Sequence, residues 1–92
     1  MLNLNQLTEK ISNKGYRRNA HTRTMFDDNG NRITIYDFEH RKKLDMFTVY
    51  VKDTGEVKSV EFTKVNFDRE TRKFSQNVIE ITDTHKLLQY LA

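Results

Sequence analysis

The first residues of the chain place apolar side chains at helical spacing. The residues that recur at intervals of three and four are Leu4, Leu7 and Ile11. This spacing predicts a short amphipathic helix, for which Asn3 or Asn5 can accept hydrogen bonds from the first free backbone N–H groups. Gly15 can adopt the left-handed conformation that commonly ends a helix. A helix of about ten residues does not persist alone in water, so we expect it to lie on a sheet.

After this helix the pattern changes to that of β-strands. The predicted strands cover residues 16–26, 32–38, 44–52, 57–67 and 77–82, where β-branched and aromatic residues alternate with polar ones. The last strand is the least defined, because Phe74, Val78 and Ile81 also fit a helical stripe. Between the strands we predict a tight Asn29-Gly30 hairpin turn, a second turn at residues 53–56 and a third connection at residues 68–73.

The end of the chain returns to helical spacing. Thr82 or Asp83 can cap a helix whose apolar face consists of Leu87, Leu88 and Leu91. No linker-like stretch divides the sequence. We therefore predict one domain over residues 1–92, of the α+β class, with an antiparallel sheet of about five strands and both terminal helices packed on one face.

Composition narrows the classes of function. The sequence contains no cysteine, which excludes disulfides, thiol nucleophiles and thiolate metal sites and favours an intracellular, cytoplasmic location. It shows neither a signal-peptide pattern nor a run of about 18 apolar residues, so we expect no membrane association.

The residues that could carry catalysis do not form a recognisable pattern. No serine stands in a Gly-flanked elbow, and the three histidines, His21, His40 and His85, lack the spacing of zinc ligands. Glu56-Val57-Lys58 resembles the acidic-x-Lys element of metal-dependent nucleases, but its neighbours favour the charged outer face of a hairpin. We predict no catalytic residue, no metal site, no cofactor and no enzymatic activity.

Charge is the one feature that points to recognition. The net charge is +3, and residues 1–43 hold nine Lys and Arg against five Asp and Glu. Residues 10–25 contain five cations and no carboxylate. In an extended strand Arg17, Asn19, His21 and Arg23 would share one face.

A surface of this kind could bind a polyanion. The candidate residues for a nucleic acid or another partner are Arg17, Arg18, His21, Arg23, Arg41, Lys42 and Lys43. Tyr36 or Tyr50 would add a flat ring for base stacking if it emerged on the same side. The alternative is that these cations only keep an edge strand soluble and prevent edge-to-edge aggregation.

The opening of the chain carries a resemblance to a known family. The residue types at Asn3, Asn5, Leu7, Ile11, Asn13, Lys14 and Tyr16 are similar to the start of a family of small type II-A anti-CRISPR inhibitors of a Cas nuclease. The resemblance covers about fifteen residues and implies an origin in a phage or mobile element of a low-GC Gram-positive bacterium. That family mimics DNA with acidic residues, whereas this chain is basic, so no functional residue is carried over.

Two hypotheses of function follow from the sequence. The first is a non-enzymatic phage or mobile-element accessory protein that binds and modulates a macromolecule such as a defence or replication protein. In that case exposed Tyr, Phe, Met or Arg on the open sheet face or an edge strand would be the anchors. The alternative is a small nucleic-acid-binding module that uses the basic strand. The two sheet edges also leave open a homodimer formed by strand pairing.

Overall fold

The computed structural model describes residues 3–91 and shows an antiparallel sheet between two terminal helices, an α+β architecture. In chain order the elements are α1 (Leu4–Ser12), β1 (Tyr16–Arg18), β2 (Arg23–Phe26), β3 (Arg32–His40), β4 (Met46–Lys52), β5 (Val57–Asp68), β6 (Lys73–Ile81) and α2 (Thr84–Leu91). The predicted fold class is confirmed, and the ambiguous segment around residue 78 is a strand. Within residues 3–91 no helix is long and apolar enough to cross a bilayer.

The first strand predicted from the sequence is present as two pieces. The sheet order is β1-β3-β4-β5-β6, and β2 also pairs with β3. Arg18 lies opposite Phe38, and Arg23 lies opposite Ile35. Residues 19–22 of the edge therefore stand against only residues 36–37 of β3, and the surplus residues bulge out of the ladder. This break raises the strand number from five to six while leaving five positions across the sheet.

One face of the sheet forms the core with both helices. Cross-strand partners share a face, and the register aligns Phe38, Phe47 and Phe62 on adjacent strands. The cluster buried around them consists of Leu7, Ile11, Val49, Val51, Val57, Val60, Ile81, Leu87 and Leu91. Because α1 and α2 both contribute leucines to this single cluster, both helices pack on the same face, as predicted. We call it the covered face and its opposite the open face.

A row of aromatic rings runs across the covered face. The Tyr16 ring contacts Phe47 edge-on with centroids 4.9 Å apart, and Phe47 contacts Phe62 at 4.8 Å. Tyr90 of α2 lies 5.4 Å from Phe62, and His40 lies 4.8 Å from Tyr16 at the other end. Such ring pairs add directional contacts to the burial of apolar area, so they fix how α2 and the β1 edge sit on the sheet.

The helix ends follow the signals in the sequence. The Asn3 side chain accepts a hydrogen bond from the Gln6 backbone, and the Gln6 side chain accepts one from the Asn3 backbone, which forms a capping box. At the start of α2 the Asp83 carboxylate accepts a hydrogen bond from the Lys86 backbone N–H at 2.7 Å. Of the two predicted caps for each helix, the structure therefore uses Asn3 and Asp83.

The β2–β3 turn differs from the predicted Asn-Gly turn. Within this turn only Gly30 has a positive φ, of 81°, and the carboxylate of Asp27 accepts the hydrogen bonds that hold the loop. Its Oδ1 accepts hydrogen bonds from the backbone N–H groups of Asn29 at 3.0 Å and Asn31 at 2.8 Å. Mainly through the Asn31 bond, these contacts lower the pKa of Asp27 below its ordinary value. A side-chain cap thus replaces the second positive φ that a two-residue turn requires.

At Gly15 the α1–β1 turn comes close to His40 of β3. The φ of this glycine is +94°, and a Cβ added there would lie 2.9 Å from Nε2 of His40. Gly55 has a similar φ of +92° with nothing within 4 Å. We expect Gly55→Ala to lower the free energy of unfolding by about 1–2 kcal/mol through backbone strain. Gly15→Ala should cost more because it also displaces His40. Urea unfolding of both variants measures the difference, and equal losses would contradict the close approach.

Candidate functional site

The structure brings two separate basic segments to one corner of the sheet. The backbone N–H of Arg41 donates to the carbonyl oxygen of Gly15 at 3.2 Å, so the β3–β4 loop lies against the turn between α1 and β1. Cations that are far apart in sequence become neighbours through this contact. We call the resulting surface the basic corner; it consists of Lys14, Arg17, Arg18, Arg41, Lys42 and Lys43.

His40 sets the shape of the loop that carries three of these cations. Its Nδ1 accepts hydrogen bonds from the backbone N–H groups of Lys42 at 3.0 Å and Lys43 at 3.1 Å. These two hydrogen bonds to one ring nitrogen join the backbone of the loop to the end of β3. Contact with Tyr16 fixes the ring. Sequence reasoning considered His40 only as a metal ligand, because its partners are backbone groups that no residue pattern reveals.

A shallow concavity of about 500 Å³ lies at the basic corner. It is lined by Arg17, Arg18, Asn19, Ala20, Glu39, His40 and Arg41. The lining therefore includes three arginines and one acidic residue, an excess of two positive charges. Within residues 3–91 no carboxylate lies within 4 Å of a side-chain nitrogen of Arg17, Arg18 or the 41–43 loop. These charges are not neutralised inside the described part of the chain.

Arg17 and Arg18 extend the corner around both sides of the edge strand. Arg18 shares the covered face with Phe38, and its guanidinium carbon lies 5.4 Å from the centre of the Tyr36 ring, a cation–π contact. Arg17 is paired with Glu39 in the register and so lies on the open face. The edge therefore presents a cation to each side of the sheet.

His21 does not join Arg17 in the predicted row of donors. The strand ends at Arg18 and resumes only at Arg23. In between, the Asn19 backbone N–H donates to the carbonyl oxygen of Asp37 at 2.8 Å, and the Asn19 side chain accepts from the backbone N–H of His21 at 3.1 Å. Arg17 and Arg23 both lie on the open face, but Asn19 and His21 lie in the bulge between the two strands, so the predicted row of four donors is interrupted.

Arg23 is held by an ion pair on the open face. Its Nε and Nη2 donate to the two carboxylate oxygens of Asp37, both at 2.9 Å, and Thr48 donates to the same carboxylate at 3.2 Å. The bond to Asp37 raises the pKa of Arg23. Asp37 is only 8% exposed. The Arg23 side chain is therefore held in an ion pair within the sheet, unlike the cations of the basic corner.

The two tyrosines proposed as base platforms lie on opposite faces. Tyr36 is on the covered face beneath Arg18. Tyr50 is on the open face, where its hydroxyl donates to Oε2 of Glu61 at 3.1 Å. Burial, and then this contact with Glu61, raise the pKa of Tyr50 above its ordinary value. The stacked Arg18–Tyr36 pair is the one that adjoins the basic corner.

The described residues contain no group of three or more His, Cys, Asp or Glu side chains placed to hold a metal ion. Comparisons with known proteins gave no match: no family model fits the sequence, and no curated protein or solved structure resembles it significantly. The N-terminal resemblance to anti-CRISPR inhibitors therefore stays a prediction.

The contrast between Arg23 and Arg17 can be measured. Arg23→Ala leaves the carboxylate of Asp37 without its bidentate partner, and we expect a loss of about 1–3 kcal/mol in the free energy of unfolding. Arg17→Ala, on the same edge and face, should change it by less than about 0.5 kcal/mol. Urea unfolding at neutral pH compares the two variants. Equal losses would show that the Arg23–Asp37 contact is not structural.

Proposed function

We propose that this chain is a non-enzymatic accessory protein of a phage or mobile element, which binds another macromolecule through the basic corner and modulates it. The observation that carries the proposal is the convergence of Arg17, Arg18 and the 41–43 loop without a carboxylate partner within 4 Å in residues 3–91. Uncompensated charge of one sign attracts a partner of the opposite sign and speeds its association. The shallow shape of the corner suits a surface contact.

The chemistry of the corner defines what it would bind. Guanidinium groups donate pairs of parallel hydrogen bonds to carboxylates and phosphates. Lys42 and Lys43 add point charges on an exposed loop. The first candidate partner is therefore a defence or replication protein with an acidic surface, and occupation of that surface would be the means of modulation. The N-terminal resemblance supports the phage or mobile-element origin.

The second candidate is a nucleic acid, and one observation favours it. Arg17 and Arg18 point to opposite faces of the edge strand, and Arg18 stacks on Tyr36. A sugar-phosphate backbone that follows the edge would meet cations on both sides and a flat ring beside them. Under this candidate the protein is a small nucleic-acid-binding module.

Direct binding to nucleic acid distinguishes the two partners, because contacts of the basic corner with either one would be electrostatic and would weaken with salt. We expect binding to short single-stranded or duplex DNA or RNA, titrated over about 50 to 300 mM salt, to weaken log-linearly if phosphates are the ligands, with a slope of about −0.9 per phosphate neutralised on duplex DNA. The variant Arg17→Ala/Arg18→Ala/Arg41→Ala should lose this binding. The matched control, Lys58→Ala/Arg69→Ala/Lys86→Ala, removes the same charge from exposed positions elsewhere and should keep it.

Two further results decide between the nucleic-acid and protein candidates. Absence of nucleic-acid binding at low salt would exclude the second candidate. The first candidate then requires that wild type and the control variant, but not the corner variant, retain the same acidic partner in affinity capture from the bacterial host. Capture of identical partners by all three proteins would contradict a role for the basic corner.

A further inference from the structure

The two edges of the sheet differ in how well they are protected. The β1–β2 edge is broken by the bulge at residues 19–22 and carries three arginines. The opposite edge is β6, nine consecutive residues with no described strand beyond them. Bulges and charges discourage pairing between edges, and a long regular edge strand invites it. In β6 the only charged residues are Lys73 near its start and Glu80 near its end.

An apolar patch lies on the open face beside this edge. Phe74 and Val78 of β6 are 65% and 50% exposed, and Phe67 of β5 is 50% exposed. Phe67 and Phe74 are cross-strand partners whose rings lie 4.8 Å apart. The last β4–β5 pair is Met46 with Thr63, so the hairpin beyond it forms a two-stranded arm that carries Phe67 and Phe74, with Val78 at its base. Exposed large apolar residues that cluster in this way mark an interaction site.

The arrangement of charge and apolar residues along β6 is complementary to itself in the antiparallel direction. β6 begins at Lys73, directly after Arg72 of the turn, and Glu80 lies one residue before its end. Two antiparallel copies would therefore bring the cationic turn before each strand near Glu80 of the partner subunit. The free backbone groups of both edges would be satisfied at the same time.

We propose that β6 pairs with β6 of a second copy around a two-fold axis at Gln76. In this register Phe74 lies opposite Val78 of the partner subunit, and Gln76 lies opposite its symmetry mate. Centring the axis on Ser75 would place Phe74 opposite Gln76 of the partner subunit, and centring it on Asn77 would place it opposite the partner's Glu80. Of these three registers, only the one centred on Gln76 pairs Phe74 with an apolar residue, which makes the two patches one continuous surface.

The dimer has a consequence that rests on the proposed function. Five strand positions from each copy form a ten-stranded sheet, with β1 and β2 at its two outer edges. The two basic corners then lie at opposite ends, roughly 40 Å apart at about 4.8 Å per strand. Two linked sites raise the apparent affinity for a partner long enough to reach both.

Cysteine cross-linking tests the register directly. The chain has no cysteine, so Gln76→Cys introduces a unique thiol at the axis. Directly opposed residues have Cα atoms about 4.5–5.5 Å apart, within the range for a disulfide. We expect mild oxidation to convert Gln76→Cys to a covalent dimer. Asn77→Cys, whose two copies are displaced diagonally, is the control and should remain largely uncoupled.

Sedimentation equilibrium over a concentration series tests the surface without a disulfide. Phe74→Lys should raise the dimer dissociation constant at least about tenfold. Phe26→Lys makes the same change at the opposite edge, on a residue that is also 65% exposed, and should leave it unchanged. Circular dichroism of each variant establishes that the fold is retained.

The results separate the dimer from the proposed function, because neither experiment involves a ligand. A wild-type protein that is monomeric up to about millimolar concentration, a weak-binding limit of about −4 kcal/mol, would overturn the dimer. Preferential coupling of Asn77→Cys, or dissociation by Phe26→Lys instead of Phe74→Lys, would overturn it as well. None of these results bears on binding at the basic corner, which the salt titration tests separately.

Discussion

A row of rings across the covered face joins the parts of this small protein. It runs from His40 through Tyr16, Phe47 and Phe62 to Tyr90. A domain of this size buries a limited fraction of its surface, so a few large side chains must do most of the packing. The row connects the β1 edge to α2. Its first ring, His40, also accepts the hydrogen bonds that shape the 41–43 loop. The packing of the core and the shape of the basic corner therefore depend on the same residues.

On the open face a network of polar contacts accompanies the buried side chains of Ile33 and Ile35. Asp37 and Thr48 are buried there, held together with Arg23 by hydrogen bonds. Buried polar groups are tolerated only when they are paired, and this network pairs them across three strands. As a result Arg23 stabilises the sheet, whereas the cations of the basic corner have no such partner within 4 Å in residues 3–91. The position of an arginine in the fold therefore decides whether its charge is paired within the sheet or exposed at the surface.

The two sheet edges expose different chemical groups. The bulge between Arg18 and Arg23 interrupts one edge and turns it into a surface of side-chain donors. The β6 edge stays regular and carries apolar side chains beside its free backbone groups. One edge thus presents charge and the other presents backbone and apolar area. The proposed dimer through β6 would leave the charged edge free, so it would not compete with the proposed partner for the same surface.

The sequence by itself determined the elements, because local patterns encode them. The spacing of Leu4, Leu7 and Ile11, the polar residues able to cap each helix, and the alternation along β3 to β5 act within a few residues. The α+β class and the helices on one face follow from burying these patterns together. The cations of the corner were also visible in the sequence, as two separate basic segments.

The tertiary structure decided which of those residues can act together, because such contacts join positions distant in the chain. Arg23 pairs with Asp37 fourteen residues away, and no local pattern distinguishes it from Arg17. The contact between Gly15 and Arg41 and the role of His40 depend on backbone groups, which residue types do not reveal. The bulge at residues 19–22 arises from the register with β3. Register is a property of the paired strands, and it set which donors align and which edge remained open.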